Sequence, residues 1–319
     1  MTDTLPFPGA AVSRAGGPTF VGIGGQKCAS TWLAECLAAH PEVFVHPKKE
    51  IKYFNRQTQE GEANVDAAQP LDWYRDHFAG PSAQAAAARG EFTPDYLFDG
   101  TAAARMREAL GPVQILCVFR DPVARLRSHL RHIVRRGLVA VDVNRPIDAA
   151  ELRGLIAEYP TLKSNGFYFD ALGPFLDSFG RDRVHISISE RLTAGGADEM
   201  ARVFAFLGVD ADFVPPMLTQ VVGGGYVPKS RAAEAGRIAV FNALHKFAPA
   251  ALPMLRATGL PQLYKRLNGR PTAIRFAPDA EALLRELYAP TAAGLESLGV
   301  LTPGEWSCSP EPTASRVAA

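Results

Sequence analysis

The sequence predicts an α/β fold with three layers, in which a central parallel sheet carries helices on both faces. Three short apolar runs have the length and continuity of buried strands, namely Thr19–Gly25, Val113–Phe119 and Val184–Ser189. Amphipathic stretches of helical length follow them along the chain. Strands that alternate with helices are typical of a parallel sheet, because each crossover helix packs back on the sheet.

Local signals place the elements in order. The first strand ends in two glycines, and the next helix begins near Ser30 or Thr31, residue types that favour helix starts. A short strand is expected at Val43–His46. The second long strand is closed by Arg120-Asp121-Pro122, whose proline begins another helix. The helices predicted in this way are Ser30–Ala39, Pro122–Arg136, Gly166–Phe179, Asp198–Leu207 and Asp279–Leu298.

Composition and charge exclude several classes of protein. Of the 319 residues, 47% are hydrophobic and 21% charged, which excludes wholesale disorder. Lys and Arg number 34 against 33 Asp and Glu, so we expect no nucleic-acid partner, and any anion site must be local. The four cysteines lack disulfide or metal-ligand spacing, and no secretion signal or transmembrane segment is evident. We therefore expect a cytoplasmic protein.

The loop after the first strand has the composition of a phosphate cradle. Its glycines, Gly24 and Gly25, allow tight turns, so successive backbone N–H groups can face an anion beside the positive end of a helix. Lys27 supplies a full charge, and Ser30 and Thr31 supply hydroxyl donors. The loop is not a Walker A motif, which has its lysine directly before the Ser/Thr. An ordinary glycine-rich turn with a solvated lysine is the alternative.

Arg120 and Ser128 form a second candidate anion site. An arginine at the end of a strand and a serine on the second turn of the next helix can grip one phosphate together. This site and the cradle both follow the carboxyl ends of strands, where such sheets bind ligands. The alternative is a helix with a solvated basic face. Arg127, Arg131 and Arg135 are interpreted as such a face or as a substrate-facing stripe.

These residues resemble the motifs of sulfotransferases that use 3′-phosphoadenosine 5′-phosphosulfate (PAPS). The family's Lys-x-Gly-Thr-Thr loop is matched by Lys27–Thr31, with alanine and serine as mild substitutions, and Trp32 resembles a tryptophan that stacks on adenine. The family's 3′-phosphate motif is matched by Arg120-Asp121-Pro122, Arg125 and Ser128. Further matches in the family's order are His40-Pro41, Lys49-Glu50, Tyr53-Phe54, Gly90-Glu91, Thr93-Pro94, Tyr96, Gly166, Tyr168, Glu190 and Leu192.

The resemblance implies a P-loop-kinase-like layout, sulfuryl transfer from PAPS, and the bacterial and glycan-modifying branch of the family. The composition, rich in alanine and arginine, also suggests a bacterial origin. PAP, the desulfated nucleotide, is then the product. Arg120 and Ser128 would bind the 3′-phosphate. Lys27 would neutralise the leaving 5′-phosphate, and no metal is implied because lysine and amides stabilise that charge. The residues implied to line the 5′-phosphate are Gly25, Gln26, Lys27, Cys28, Ala29, Ser30 and Thr31.

The resemblance also implies a general base and an acceptor site. Glu50, in the Lys-Glu stretch, is the implied base, and His46 is the rival because another branch uses histidine; a solvated surface carboxylate is the alternative for Glu50. Lys52, Phe92 and Tyr96 are the candidate substrate-binding residues. Phe92 stands where many members of the family have lysine, so the resemblance does not by itself imply a polyanionic glycan as the acceptor. We expect a small metabolite or glycan-type acceptor, sulfated on a hydroxyl rather than an amine.

The region 209–277 matches the family least and is expected to be a variable acceptor or lid region. Lys229, Ser230 and Arg231 follow three glycines and either close on the nucleotide or belong to a solvated linker. The apolar stretch 238–267 lines the acceptor pocket, forms a homodimer or membrane surface, or packs in the core. We expect a loose leader over 1–18, one domain over 19–302 and a loose tail over 303–319.

Two other functions remain open at the level of sequence. A P-loop nucleotide kinase would share the layout, but the Walker A spacing is absent and the Arg120 motif is present. A non-catalytic nucleotide-binding protein on the same scaffold would not need the intact Lys27 and Glu50 pair.

Overall fold

The structure, a computed structural model, describes residues 16–56, 63–219, 227–247, 255, 258–270 and 274–310. Residues 1–15 of the predicted leader and 311–319 of the predicted tail lie outside this part. The chain divides into two compact units. The first contains residues up to Arg125, Lys163–Val222 and residues from Leu287 onward; the second contains Leu126–Leu162 and Gly223–Glu286.

Five parallel strands form the sheet of the first unit, in the order β2-β3-β1-β4-β5. The central strand β1 is completely buried and pairs with β3 on one side and β4 on the other. This parallel order confirms the predicted fold class. The strands are β1 (Phe20–Gly24), β2 (Val43–Val45), β3 (Ala88–Phe92), β4 (Gln114–Phe119) and β5 (Val184–Ile188).

Helices cover the sheet, with α1 against β2 and β3, α8 against β4 and β5, and α10 against β5. The predicted strand and helix bounds agree with the structure to within one or two residues. The α-helices are α1 (Ser30–Ala38), α2 (Leu71–Asp76), α3 (Pro81–Ala85), α4 (Ala102–Leu110), α5 (Pro122–Arg135), α6 (Ala149–Glu158), α7 (Thr161–Ser164), α8 (Tyr168–Phe179), α9 (Ser189–Thr193), α10 (Ala197–Leu207), α11 (Arg231–Phe247), α12 (Leu260–Asn268) and α13 (Pro278–Ser297). Short 3-10 helices span Val65–Ala68, Pro94–Phe98, Arg181–Arg183 and Pro216–Thr219.

Strand β3 was not predicted from the sequence. Its five residues, Ala-Arg-Gly-Glu-Phe, contain no continuous apolar run, yet it pairs with both β1 and β2. A Cβ at Gly90 would lie 2.3 Å from the Phe20 carbonyl oxygen, so the close approach of β1 requires glycine there. Glu91 is completely buried in this strand.

The second unit contains a two-stranded antiparallel ribbon of β6 (Val227–Pro228) and β7 (Gly269–Arg270), together with α6, α11 and α12. Leu260, Leu263 and Leu267 of α12 are more than half exposed. Ordinary core packing therefore does not describe this helix, which lies in the stretch 238–267. Among the residues that the structure describes, no helix has both the length and the apolarity needed to cross a membrane.

Candidate active site

The loop between β1 and α1 has an unusual backbone. Lys27 and Ala29 adopt left-handed conformations, with φ of 67° and 69°. For residues other than glycine such conformations are disfavoured, and they concentrate at functional sites. Left-handed residues within a turn rotate successive N–H groups toward one concave face, which is the geometry of an anion-binding nest.

Two glycines make this turn possible. Gly24 has a φ of 140°, and a Cβ on it would lie 2.5 Å from the Val118 carbonyl oxygen of β4. A Cβ on Gly25 would lie 2.5 Å from the Cys28 sulfur and 2.8 Å from the Tyr168 ring. Neither position accepts a side chain without a shift of the loop, so both glycines are needed for the cradle.

The start of helix α1 lies at the end of this loop. Ala29 is the N-cap, and within the described part of the chain no side chain caps the helix. The first amides of a helix need partners and carry its positive end. Ser30 is buried and Thr31 exposed at this start. Uncapped amides, the nest and Lys27 together suit a phosphate or sulfate group.

The side chains of the loop divide between inward and outward positions. Cys28 is completely buried, and its sulfur lies 3.5 Å from the Tyr168 hydroxyl. Burial raises the pKa of this thiol to about 12, so it is an inert residue whose backbone alone can face a ligand. Gln26 donates a hydrogen bond of 2.7 Å to the Asp95 carboxylate. Trp32 is only 6% exposed and offers little surface for stacking on adenine.

Arg120 connects the end of β4 to the cradle. Its guanidinium donates to the Lys27 carbonyl oxygen over 3.3 Å and lies 3.8 Å from the Glu190 carboxylate. Glu190 also accepts the Asp121 amide at 3.2 Å. The structure thus brings Arg120 and Lys27 together, as expected for two sites at the same edge of the sheet.

The other residues of the Arg120 motif form contacts within the protein or lie on α5. Asp121 accepts the Val123 and Ala124 amides at 2.8 and 3.0 Å and so caps α5, while its other oxygen accepts the Ser307 amide at 2.6 Å. Arg125 is completely buried beside the Tyr288 hydroxyl. Ser128 is half-buried on the second turn of α5 and belongs to the second compact unit.

Glu50 lies among lysines next to the cradle. Its carboxylate is 3.6 Å from the Lys49 ammonium and 3.5 Å from the Lys52 ammonium. Lys49 also donates to the Ser30 hydroxyl over 3.4 Å and therefore links Glu50 to the start of α1. The Glu50 side chain is 35% exposed and accessible to an acceptor. Lys49 was not assigned a role from the sequence, although it precedes Glu50 in the matched Lys-Glu pair.

His46 has different surroundings. Its Nδ1 accepts the Lys48 amide at 3.2 Å, and its ring lies 4.7 Å from that of His77 and 6.0 Å from that of Phe78. Burial lowers the pKa of His46, so the ring is neutral near pH 7. The same Nδ1 lies 3.4 Å from the Lys48 carbonyl oxygen, so Lys48 offers it both a donor and an acceptor.

The candidate acceptor residues differ in exposure. Lys52 is 38% exposed and forms an ion pair with Glu50. Phe92 and Tyr96 are 1% and 0% exposed, so they support the site from within and present no surface to an acceptor. Phe92 packs edge-on against Phe20 of β1.

The basic segment after the three glycines belongs to the second unit. The Lys229 ammonium donates to the Leu267 carbonyl oxygen at 3.0 Å. The Ser230 hydroxyl accepts the Ala233 amide at 3.2 Å and caps α11. Arg231 begins α11, and the three glycines, 223–225, lie outside the described residues. The side chains of Lys229 and Ser230 thus form hydrogen bonds with residues of the second unit.

Comparisons with known proteins identify one type of relative. A segment of 112 residues, 35% of this chain, is 34% identical to the membrane-associated sulfotransferase kil1 of Dictyostelium discoideum and covers 22% of that protein. The chain thus matches about a fifth of the length of its curated relative. No family model matches the chain.

Solved structures extend the similarity to the fold. A sulfotransferase from Alicyclobacillus acidocaldarius aligns with a TM-score of 0.60 and 24% identity, over 88% of this chain and 95% of that one. A sulfotransferase domain from the curacin biosynthetic pathway aligns with a TM-score of 0.45 and 18% identity, over 66% of this chain and 80% of that one. The resemblance to sulfotransferases inferred from the motifs is confirmed.

Proposed function

We propose that this chain, which has the fold of the sulfotransferases, transfers the sulfuryl group of PAPS to a hydroxyl group of a small metabolite or glycan-type acceptor. One observation carries the proposal: the anion cradle at Lys27 is tied to Arg120 by one contact and to Glu50 through Lys49 by others. A cation, a set of amides and an exposed carboxylate therefore share one edge of the sheet.

In the proposed step, the acceptor oxygen forms a bond to sulfur in line with the breaking bond between sulfur and the 5′-phosphate oxygen. Glu50 takes the hydroxyl proton, and the electron pair of the broken bond remains on the leaving phosphate. Lys27 supplies a positive charge for this phosphate, and the loop amides stabilise it without reorganising, because the left-handed turn already orients them. The product nucleotide is PAP.

Arg120 is the proposed contact for the 3′-phosphate. Its side chain is 35% exposed while anchored at Lys27 and Glu190, so its position is set before any nucleotide binds. A preset guanidinium loses little conformational entropy on binding a phosphate. Ser128, Lys229, Ser230 and Arg231, predicted from the sequence to contact the nucleotide, stay predictions.

Glu50 is the proposed base in preference to His46. Glu50 is connected to the cradle through Lys49 and Ser30, whereas the contacts described for His46 are with residues outside the cradle.

The test separates binding from transfer. Calorimetry measures PAP affinity, and radiolabelled PAPS with a panel of phenols, sterols and saccharides measures transfer. Glu50→Gln is expected to keep PAP affinity within a factor of about two and to lower transfer by about 10²- to 10⁴-fold. The control Glu108→Gln removes an exposed carboxylate on α4 and should change neither.

Each alternative has its own signature. Full transfer activity in Glu50→Gln, together with loss of transfer activity in His46→Ala, would identify His46 as the base. Preference for ATP with Mg²⁺ would favour a nucleotide kinase, and PAP binding without transfer to any member of the panel would favour a non-catalytic protein.

A further inference from the structure

A buried carboxyl group lies directly behind the segment that carries Glu50. Glu91, at the end of β3, is completely buried, and its carboxylate accepts the Thr93 hydroxyl at 2.7 Å. The Thr93 oxygen in turn accepts the Lys52 amide at 3.2 Å. A chain of two hydrogen bonds therefore runs from Glu91 to the backbone of the 50–52 segment.

That segment needs support because its backbone is strained. Glu50 and Lys52 both have positive φ, 69° and 63°, and neither is glycine. Such conformations persist only where surrounding contacts hold them. Three backbone amides of the segment have partners near β3: the Lys52 amide donates to the Thr93 oxygen, the Glu50 amide to the Phe92 carbonyl oxygen at 2.9 Å, and the Ile51 amide to Glu91 itself. The Lys52 carbonyl oxygen accepts the Asn64 amide group at 2.6 Å. Ile51, between Glu50 and Lys52, is completely buried.

The surroundings of Glu91 make its charge costly. The pKa of Glu91 is raised to about 7: burial is the largest cause and the nearby Glu50 carboxylate adds to it, while hydrogen bonds from the Thr93 and Tyr96 hydroxyls and from the Ile51 amide oppose the shift. The Tyr74 hydroxyl of α2 and the Tyr96 hydroxyl of the 3-10 helix Pro94–Phe98 also face this carboxyl. Strands β1 and β2 carry no titratable residue; α1, which packs on β3, carries Glu35 and Cys36.

We propose that ionised Glu91 is a positioning residue that holds the Glu50–Lys52 segment in its transfer-competent conformation through Thr93. A carboxylate is a charge-assisted acceptor for the Thr93 hydroxyl, which leaves the oxygen lone pairs of Thr93 for the Lys52 amide. Protonation replaces this acceptor with a weaker, neutral one. The part concerning transfer rests on the proposed role of Glu50; the hydrogen-bond relay does not.

The relay is tested by the backbone amide NMR signal of Lys52 followed from about pH 5.5 to about pH 8.5. In the wild type this signal is expected to shift with a single midpoint near neutral pH. The shift should vanish in Glu91→Gln, which keeps the shape of the side chain but does not titrate. It should become smaller in Thr93→Val, in which only the contact between Glu91 and the neighbouring Ile51 amide remains, and persist in full in Thr93→Ser, which retains the hydroxyl.

A Lys52 amide that does not titrate in the wild type would overturn the relay without reference to any variant. So would an unchanged titration in a folded Glu91→Gln protein. The control Glu108→Gln should reproduce the wild-type titration, because that exposed residue is on α4.

The consequence for transfer is measured separately. The acidic limb of the pH profile of kcat, near neutral pH in the wild type, should disappear in Glu91→Gln while PAP affinity stays within about twofold. An unchanged limb would refute the positioning role. Failure of the wild type to bind PAP would refute the proposed function and leave the amide titration to decide the relay.

Discussion

The buried charge of Glu91 has a measurable effect on stability. The pKa of this carboxyl is raised from 4.5 to about 7 by burial, so the folded protein holds its proton more tightly than the unfolded chain does. Its contribution to stability is fully present below about pH 4.5 and is lost as the pH rises through about 7. At about 1.4 kcal/mol for each unit, the full effect is about 3 kcal/mol.

Glu91→Gln removes this dependence, because glutamine keeps an acceptor for the Thr93 hydroxyl but has no proton to lose. Between about pH 5 and pH 8, the free energy of unfolding of the variant should rise relative to wild type by about 2 to 3 kcal/mol. For a chain of 319 residues this corresponds to about 4 °C in Tm. The comparison of two pH values cancels any fixed cost of the substitution.

Thermal unfolding followed by circular dichroism at both pH values is the assay. Glu108→Gln, an exposed carboxylate on α4, is the matched control and should differ from wild type equally at the two pH values. If the difference between Glu91→Gln and wild type is the same at both, then Glu91 does not carry a raised pKa and the reasoning is wrong.

Three further substitutions test the cradle and its frame. Ala29→Gly should raise the free energy of unfolding by up to about 1 kcal/mol, because glycine adopts the left-handed conformation without strain. The control Ala104→Gly, within α4, should lower the free energy of unfolding by about 1 kcal/mol. A lower free energy of unfolding in both variants would refute the strain at Ala29. Asp121→Ala should cost about 2 to 4 kcal/mol in urea unfolding, because it leaves the buried Val123 amide and the partly buried amides of Ala124 and Ser307 without an acceptor. The exposed cap Asp148→Ala should cost about 1 kcal/mol, and equal losses in the two variants would contradict this. Arg120→Ala should weaken PAP binding about 10- to 100-fold by calorimetry and weaken adenosine 5′-phosphosulfate far less; equal losses would exclude a 3′-phosphate contact.

The sheet was predictable from the sequence where its strands are continuous apolar runs. Strands β1, β4 and β5 are buried on both faces, so hydrophobicity alone marks them. Strand β3 escapes this rule because Glu91 stands at a buried position and Gly90 contributes no side chain. A strand that holds a buried carboxyl for a neighbouring loop has no apolar signature.

The cradle was predictable in composition but not in conformation. Glycines, Lys27 and hydroxyl residues indicated an anion site, whereas neither lysine nor alanine marks the left-handed backbone found at Lys27 and Ala29. The family motif has glycine at the position of Ala29, and the φ of 69° explains why. The inward position of Cys28 likewise depends on Tyr168, which is 140 residues away in the chain.

The role of Lys49 could not be derived from residue types. In the sequence it is one lysine of a charged run beside Glu50, and only the return of the 46–52 segment along the end of β3 brings its ammonium to Ser30, 19 residues earlier in the chain. A contact of this kind depends on how the chain returns after β2, which residue types do not show.

Calorimetric titration of the wild-type protein with PAP, and with ATP as comparator in the absence of metal, tests the central claim most directly. A site with the Lys27 cradle on one side and Arg120 on the other should bind PAP with a micromolar Kd and ATP at least about tenfold more weakly, since the second phosphate contact is worth about 1.4 kcal/mol or more. ATP binding as tightly as PAP, or no heat with PAP, would contradict the assignment of this edge of the sheet to a 3′-phosphorylated nucleotide.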